Sequence, residues 1–423
     1  MDPMILALIL FGVMYVLLLI LSEQRYIVAL GGALLFMLTG LLPPSAALGA
    51  INWNVLLMLC GTMITVELFI RSGMPARMAE KLLQHVPNVK WAVVALSLFS
   101  GLISAFVDNV ATVLMVAPVG LAVARKLKTN PVPVIIAIAV SSNLQGAATL
   151  VGDTTSILLA GYVNMSFNDF FWFHGRPGIA WAVELGALLT VPVLLWVFRR
   201  EKGRVSSAVT TQVSDYLPTW LLCGTVLLLI VASQFENRPP LTNGLICMAL
   251  GLAGLLVELL RRGGKSALGV LKAVDGKTLL LLSGLFMVIE GVTRAGVIDA
   301  VAALFVRLGG GSRFLTYMLI VAASVLLSAF IDNIPYVATM LPVVGGISSI
   351  MGIEPYLLAF GLLIGATLGG NITPVGASAN IAGIGILQKE GYKVSTRDFT
   401  RIGVPFTLIA AFSGSLLIWL LWR

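Results

Sequence analysis

The hexapeptide Ser104-Ala105-Phe106-Val107-Asp108-Asn109 returns 224 positions later as Ser328-Ala329-Phe330-Ile331-Asp332-Asn333. Each copy sets one carboxylate inside an apolar stretch long enough to lie within a bilayer. An ionised carboxylate there costs about 2.5–3.5 kcal/mol on insertion scales, so such residues mark functional sites. Asp-Asn pairs of this kind can exchange protons or hold Na⁺, and Asp108, Asn109, Asp332 and Asn333 are the candidate cation ligands. Two Gly-rich stretches follow the hexapeptides, Gln145–Ser156 and Gly369–Asn380. Their glycines permit unwound backbone, and their hydroxyls and amides can coordinate a cation or donate to an oxyanion. The candidate ligands are therefore Asn143, Thr149, Gly152, Asp153, Thr154 and Thr155 in the first half, and Asn371, Thr373, Gly376, Ser378 and Asn380 in the second. Asp153 is a third carboxylate with Ala377 as its counterpart, so the halves are chemically unequal.

Plainer roles compete for the same residues. Asp108 and Asp332 could each cap the helix that follows; a neutral Ser would do so without the charge cost. The glycines could be packing notches between helices. Glu67 and Glu290 also recur, but each lies four residues before an Arg, Arg71 and Arg294, which favours an i,i+4 ion pair near a membrane face.

These residues need a membrane scaffold. The 423 residues are 58% hydrophobic and 11% charged, with a mean hydropathy of +1.00. No soluble core hides that much apolar surface, so lipid must act as solvent for it. The opening stretch Met1-Asp2-Pro3 lacks the basic start of a signal peptide, so 4–22 reads as a retained span. Nine further crossings are expected near 26–42, 52–70, 131–162, 178–198, 218–235, 241–260, 277–293, 353–388 and 402–421. Two re-entrant hairpins, 91–124 and 314–350, carry the repeated tips. The spans 131–162 and 353–388 are too long and too Gly-rich for continuous helices, so each is expected to be broken. Segments 71–87 and 294–308 read as interfacial helices leading into the hairpins.

This layout places 21 Lys and Arg on one face and six on the other. The bias puts the first face in the cytoplasm and both termini outside, in a multi-pass protein of the plasma or inner membrane. It also explains the net charge of +8 without nucleic acid as a partner. Cys60, Cys223 and Cys247 are isolated in apolar segments and read as small buried packing residues. His85 and His174 fall in loops.

The repeat extends beyond the hexapeptides. Leu59-Cys60-Gly61 through Gly73 matches Leu282-Ser283-Gly284 through Gly296 at an offset of 223. The offset becomes 224 from the hairpins through Gly152/Gly376. Five crossings separate the two units, an odd number, so they should lie upside down to each other, as in many transporters. The expected division is a leading helix at 1–25, a first unit at 26–198, a linker and connecting helix at 199–240, and a second unit at 241–423. The fold class is thus an all-α polytopic membrane protein with an inverted repeat, two re-entrant hairpins and two broken helices.

Ser104 through Thr112, running on to Pro118, resembles the hairpin of the melanosomal P protein and sodium/proton antiporter branch of the ion transporter superfamily. Gly369 through Asn380 is similar to the second-half motif of that branch and of bacterial arsenite permeases. Divalent anion/sodium symporters of the superfamily carry Ser-Asn-Thr where this chain has Asp108-Asn109-Val110 and Asp332-Asn333-Ile334. A second departure is Thr154-Thr155-Ser156, where the P-protein pattern has Pro-Pro-Asn. The resemblance implies a scaffold domain and an elevator-like transport domain, often in a homodimer, with cation and substrate held between tips and breaks.

The expected function is H⁺- or Na⁺-coupled secondary transport with no cofactor. The cargo is a small inorganic or organic anion, led by arsenite or a related oxyanion; Na⁺/H⁺ antiport and Na⁺-coupled transport of a citrate-like carboxylate are the alternatives. Carboxylates at the tips repel an anion unless they are protonated or hold a cation, whereas arsenite is largely neutral at pH 7. A channel, the remote alternative, would need a continuous lined pore, whereas two opposed hairpins look more like alternating gates; an enzyme would need a nucleophile–base pair or metal ligands, and no such spacing is present.

Overall fold

The computed structural model describes residues 2–126, 129–201, 203, 211–235 and 237–423. Lys128, Lys202 and Arg204, which contribute to the charge bias, lie outside the described residues, as do residues 205–210 of the unit boundary at 199–215. Eight described helices are long and apolar enough to cross a membrane: Pro3–Ile20, Trp53–Arg71, Asn109–Lys126, Ile179–Val197, Thr242–Arg262, Gly276–Arg294, Asn333–Met351 and Thr396–Trp422. The chain is a predominantly helical, multi-pass membrane protein.

The structure trims the expected layout. The helix expected at 26–42 is Arg25–Leu38, 14 residues and so about 21 Å at 1.5 Å per residue. It stops at Thr39-Gly40, where Gly40 takes φ 76°, just before Pro43-Pro44. The connecting helix is Leu217–Ala232, 16 residues. Short helices Pro44–Ala50 and Gly264–Ala273 fill stretches read as loops. A two-stranded antiparallel ribbon, Trp172–Phe173 with Arg176–Pro177, departs from an all-α fold. His174 and Gly175 turn it with φ 47° and 75°.

Both halves run through the same elements. The Glu-xxx-Arg helices are Trp53–Arg71 and Gly276–Arg294, and each ends at a left-handed glycine, Gly73 or Gly296. The amphipathic helices Met74–Leu83 and Val297–Leu308 follow, shorter than the interfacial segments expected. Hairpin arms come next: Val89–Ser104 with Asn109–Lys126, and Arg313–Ser328 with Asn333–Met351. The broken helices are Pro131–Gly146 with Thr154–Val163, and Tyr356–Gly369 with Ser378–Lys389. Ile179–Val197 and Thr396–Trp422 close the halves and pack on each other.

Packing partners exchange between halves. Arg25–Leu38 lies on Gly276–Arg294, while Thr242–Arg262 lies on Trp53–Arg71. The repeated glycines Gly61 and Gly284 sit at these two crossings. A Cβ on Gly61 would come 2.3 Å from the Cys247 carbonyl carbon, and one on Gly284 2.6 Å from that of Ala29. No side chain fits at such distances, which accounts for both glycines. Cys247 is buried at its crossing and Cys60 is half-buried; Cys223, contrary to expectation, is exposed. Its helix buries only Pro218, Thr225 and Leu229.

Candidate functional site

Each hairpin reverses at Ala105–Asp108 or Ala329–Asp332, and the second arm starts at Asn109 or Asn333. The aspartates cap these arms. Asp108 Oδ1 accepts from Val110 N at 3.0 Å and Ala111 N at 3.2 Å, and Asp332 Oδ1 accepts from Ile334 N at 3.1 Å. Capping uses one oxygen of each, and the second oxygens differ. Arg25 Nη1 donates to Asp332 Oδ2 at 2.9 Å, and Ser378 Oγ donates to the same atom at 2.9 Å. Asp108 Oδ2 has no partner among the described residues.

Both tips meet at one cavity of about 220 Å³. Asp108, Asn109, Asn333, Asp153, Thr154 and Ser378 line it, so two tips and two breaks converge. Glu67, Asp275 and Thr278 add wall from the Glu-xxx-Arg helices and the turn before Gly276. Four carboxylates and no Lys or Arg are found among its described lining residues. The volume lies below the ~300–1,000 Å³ of drug-sized pockets, which suits a small solute with a few waters.

Asp153 and Ala377 precede the second segments of their broken helices with matching backbone, φ −141° and −142°. Asp153 is buried and receives Thr155 Oγ1 at 2.7 Å. Thr155 also approaches Thr367 across the halves, at 3.5 Å.

Four amides bind hairpin and breaks together. Asn109 Nδ2 donates to Asn143 Oδ1 at 3.0 Å. Asn143 Nδ2 in turn donates to Asn371 Oδ1 at 2.8 Å and to Asn380 Oδ1 at 2.9 Å. Asn371 Nδ2 reaches the Val140 carbonyl, and Asn380 Nδ2 the carbonyls of Gly370 and Thr373. The bridge has no copy: position 367, equivalent to Asn143, is Thr, and Asn333 Nδ2 is buried without a partner.

Four other candidates do positioning work. Thr149 and Thr373 donate to the carbonyls of Ala105 and Ala329, fastening each break to its tip. A Cβ on Gly152 would lie 2.5 Å from the Gly146 carbonyl oxygen, and one on Gly376 2.6 Å from that of Gly370. These glycines let each break fold tightly on itself.

Arg25, one of the 21 basic residues that the expected layout places on one face, pairs with a tip aspartate 307 positions away, and no local feature of the sequence signals this. The sequence pairs Glu67 with Arg71, and the structure has that pair at 2.5 Å, with the Glu290–Arg294 pair at 2.6 Å. Glu67 nevertheless also faces the cavity. Glu184, a further carboxylate in an apolar helix, was not singled out; Gln145 Nε2 donates to both its oxygens, at 3.2 and 3.0 Å. Its position inside Ile179–Val197 was the available signal.

The family model described as "CitMHS: Citrate transporter" matches residues 15–365 and, in a second match, 244–423. The chain belongs to this transporter family. A CitMHS protein is a membrane transporter and not an enzyme, and the motif resemblance to the P-protein branch is borne out. An uncharacterized transporter of Mycobacterium tuberculosis is 34% identical over 376 residues, covering 88% of this chain and 86% of that one. The human P protein is 26% identical over 443 residues, covering 86% of this chain and 53% of that protein. The YdaH transporter of Alcanivorax borkumensis has a similar fold, with a TM-score of 0.63 at 15% identity over 99% of this chain and 98% of that one.

Proposed function

We propose that this CitMHS transporter carries a small carboxylate such as citrate, coupled to H⁺ or Na⁺ bound at the first tip. The observation that supports this most is the second carboxylate oxygen of Asp108, which has no partner among the described residues and faces a cavity whose described lining holds four acids and no Lys or Arg. Such a wall repels a bare anion and attracts cations. A carboxylate cargo therefore enters once protons or Na⁺ have neutralised Asp108 and Asp153. Binding then shifts a two-state equilibrium through the differential affinity of cargo and ion for each state. In this reading the two halves form an inverted repeat, with the hairpins and broken helices moving as an elevator against the Glu-xxx-Arg helices, in a homodimer of the inner membrane with both termini outside. The exchange of packing partners between halves is what such a repeat would produce.

The same acidic wall supports a second reading: a neutral cargo such as arsenous acid, or bare Na⁺/H⁺ exchange. Uptake into proteoliposomes of citrate, arsenite or Na⁺ alone, under an imposed pH or Na⁺ gradient, separates them. Gradient-driven citrate uptake is expected. Arsenite or Na⁺ flux with no citrate flux would replace the first reading with the second.

A further inference from the structure

A second, larger cavity lies away from the tips. A bowl of about 870 Å³ opens between the ribbon turn, the start of the second hairpin and the residues after Thr396–Trp422. His174 and Arg176 come from the ribbon, Arg313 from the head of one hairpin arm, Ser348 from the other arm, and Arg423 from beyond the closing helix. Three of the six Lys and Arg that the charge bias assigns to the exterior thus converge from segments more than 100 residues apart. Glu354 is the one acidic side chain among the described lining residues, so the charged side chains sum to positive.

The arginines differ in their ties. Arg176 Nη1 donates to the Leu421 carbonyl at 3.1 Å, and its guanidinium lies 5.7 Å from the Trp422 ring centroid. Arg313 has no acceptor among the described residues, and the residue is exposed where it lines the bowl. Ser348 supplies an independent sign of a ligand. Its side chain is only 4% exposed, it lines the bowl, and its Oγ has no hydrogen-bond partner. Buried hydroxyls are seldom left unpaired, and an oxyanion would give this one an acceptor. Guanidinium groups suit carboxylate and phosphate oxygens for their paired, charge-assisted donors.

We propose that the bowl binds a carboxylate- or phosphate-bearing anion through Arg313, Arg176 and Ser348. That chemistry has two sources, a soluble anion captured before transport and the headgroup of an acidic lipid. The inference is independent of the coupling role given to Asp108.

The test uses the full chain in nanodiscs. In phosphatidylcholine nanodiscs, titration with citrate or inorganic phosphate is followed calorimetrically for the parent and Asp108→Asn proteins; in nanodiscs containing phosphatidylglycerol, retained lipid is counted by native mass spectrometry. Arg313→Gln breaks no bond in the structure, and Ser348→Ala removes only the unpaired hydroxyl. If the anion is soluble, binding persists in Asp108→Asn, and each bowl variant weakens it, Arg313→Gln by roughly tenfold or more. For a lipid, Arg313→Gln retains about one phosphatidylglycerol fewer per chain. Unchanged soluble-anion affinity together with unchanged lipid retention in both bowl variants would overturn the proposal.

Discussion

The two hairpin tips share a sequence and a backbone but not a chemistry. At the second, Asp332 is enclosed by Arg25 and Ser378. At the first, Asp108 keeps an oxygen open to the cavity, and Thr154, the counterpart of Ser378, makes no bond to it. The amides diverge in the opposite sense: Asn109 anchors the bridge through Asn143, whereas Asn333 has a buried, unpartnered Nδ2. A repeat therefore fixes where the chain turns, while the residues that are not repeated decide which tip aspartate keeps an oxygen open to the cavity. Arg25, Asn143 and Asp153 are the ones that break the symmetry here.

Removing Arg25 is the strongest way to probe this difference. Arg25→Gln leaves Asp332, only 5% exposed, without its counter-charge. At the buried limit that costs about 3–5 kcal/mol, and the thermal unfolding temperature in detergent should fall accordingly. Adding Asp332→Asn should restore most of the loss, because the uncompensated charge goes with it. A single variant as stable as the parent would remove the pairing from the account.

A smaller effect sharpens the contrast between amides. Asn109→Ala strips Asn143 of a buried donor and should destabilise by about 1–3 kcal/mol. Asn333→Ala removes a buried amide with no hydrogen bond among the described residues, so it should destabilise less than Asn109→Ala does. Equal losses would mean that the tips are held alike.

Much of this was readable from residue order alone. The tips, the breaks and their convergence followed from a repeated hexapeptide and from glycines in stretches too long for one helix. Thr149 and Thr373 were found by the same repetition, although as ligands rather than as the donors that tie Ala105 and Ala329 to the breaks. The Arg25–Asp332 pair was invisible because nothing local links a loop arginine to a tip 307 residues later. Likewise, the asparagine bridge joins residues 228 and 237 positions apart, and only packing brings them together. Helix ends were misjudged where hydropathy runs on past a backbone stop, as at Gly40 and Pro43.

Cation-driven uptake into proteoliposomes, compared between Asp108→Asn and the double variant Arg25→Gln/Asp332→Asn, tests the inequality of the tips most directly. Both changes remove one tip carboxylate, and the second removes its counter-charge as well. Asp108→Asn should lose at least about tenfold of H⁺- or Na⁺-driven uptake, the scale of one lost charge-assisted interaction, while the double variant should keep its ion dependence. Ion dependence that survives in Asp108→Asn and disappears in the double variant would contradict that inequality.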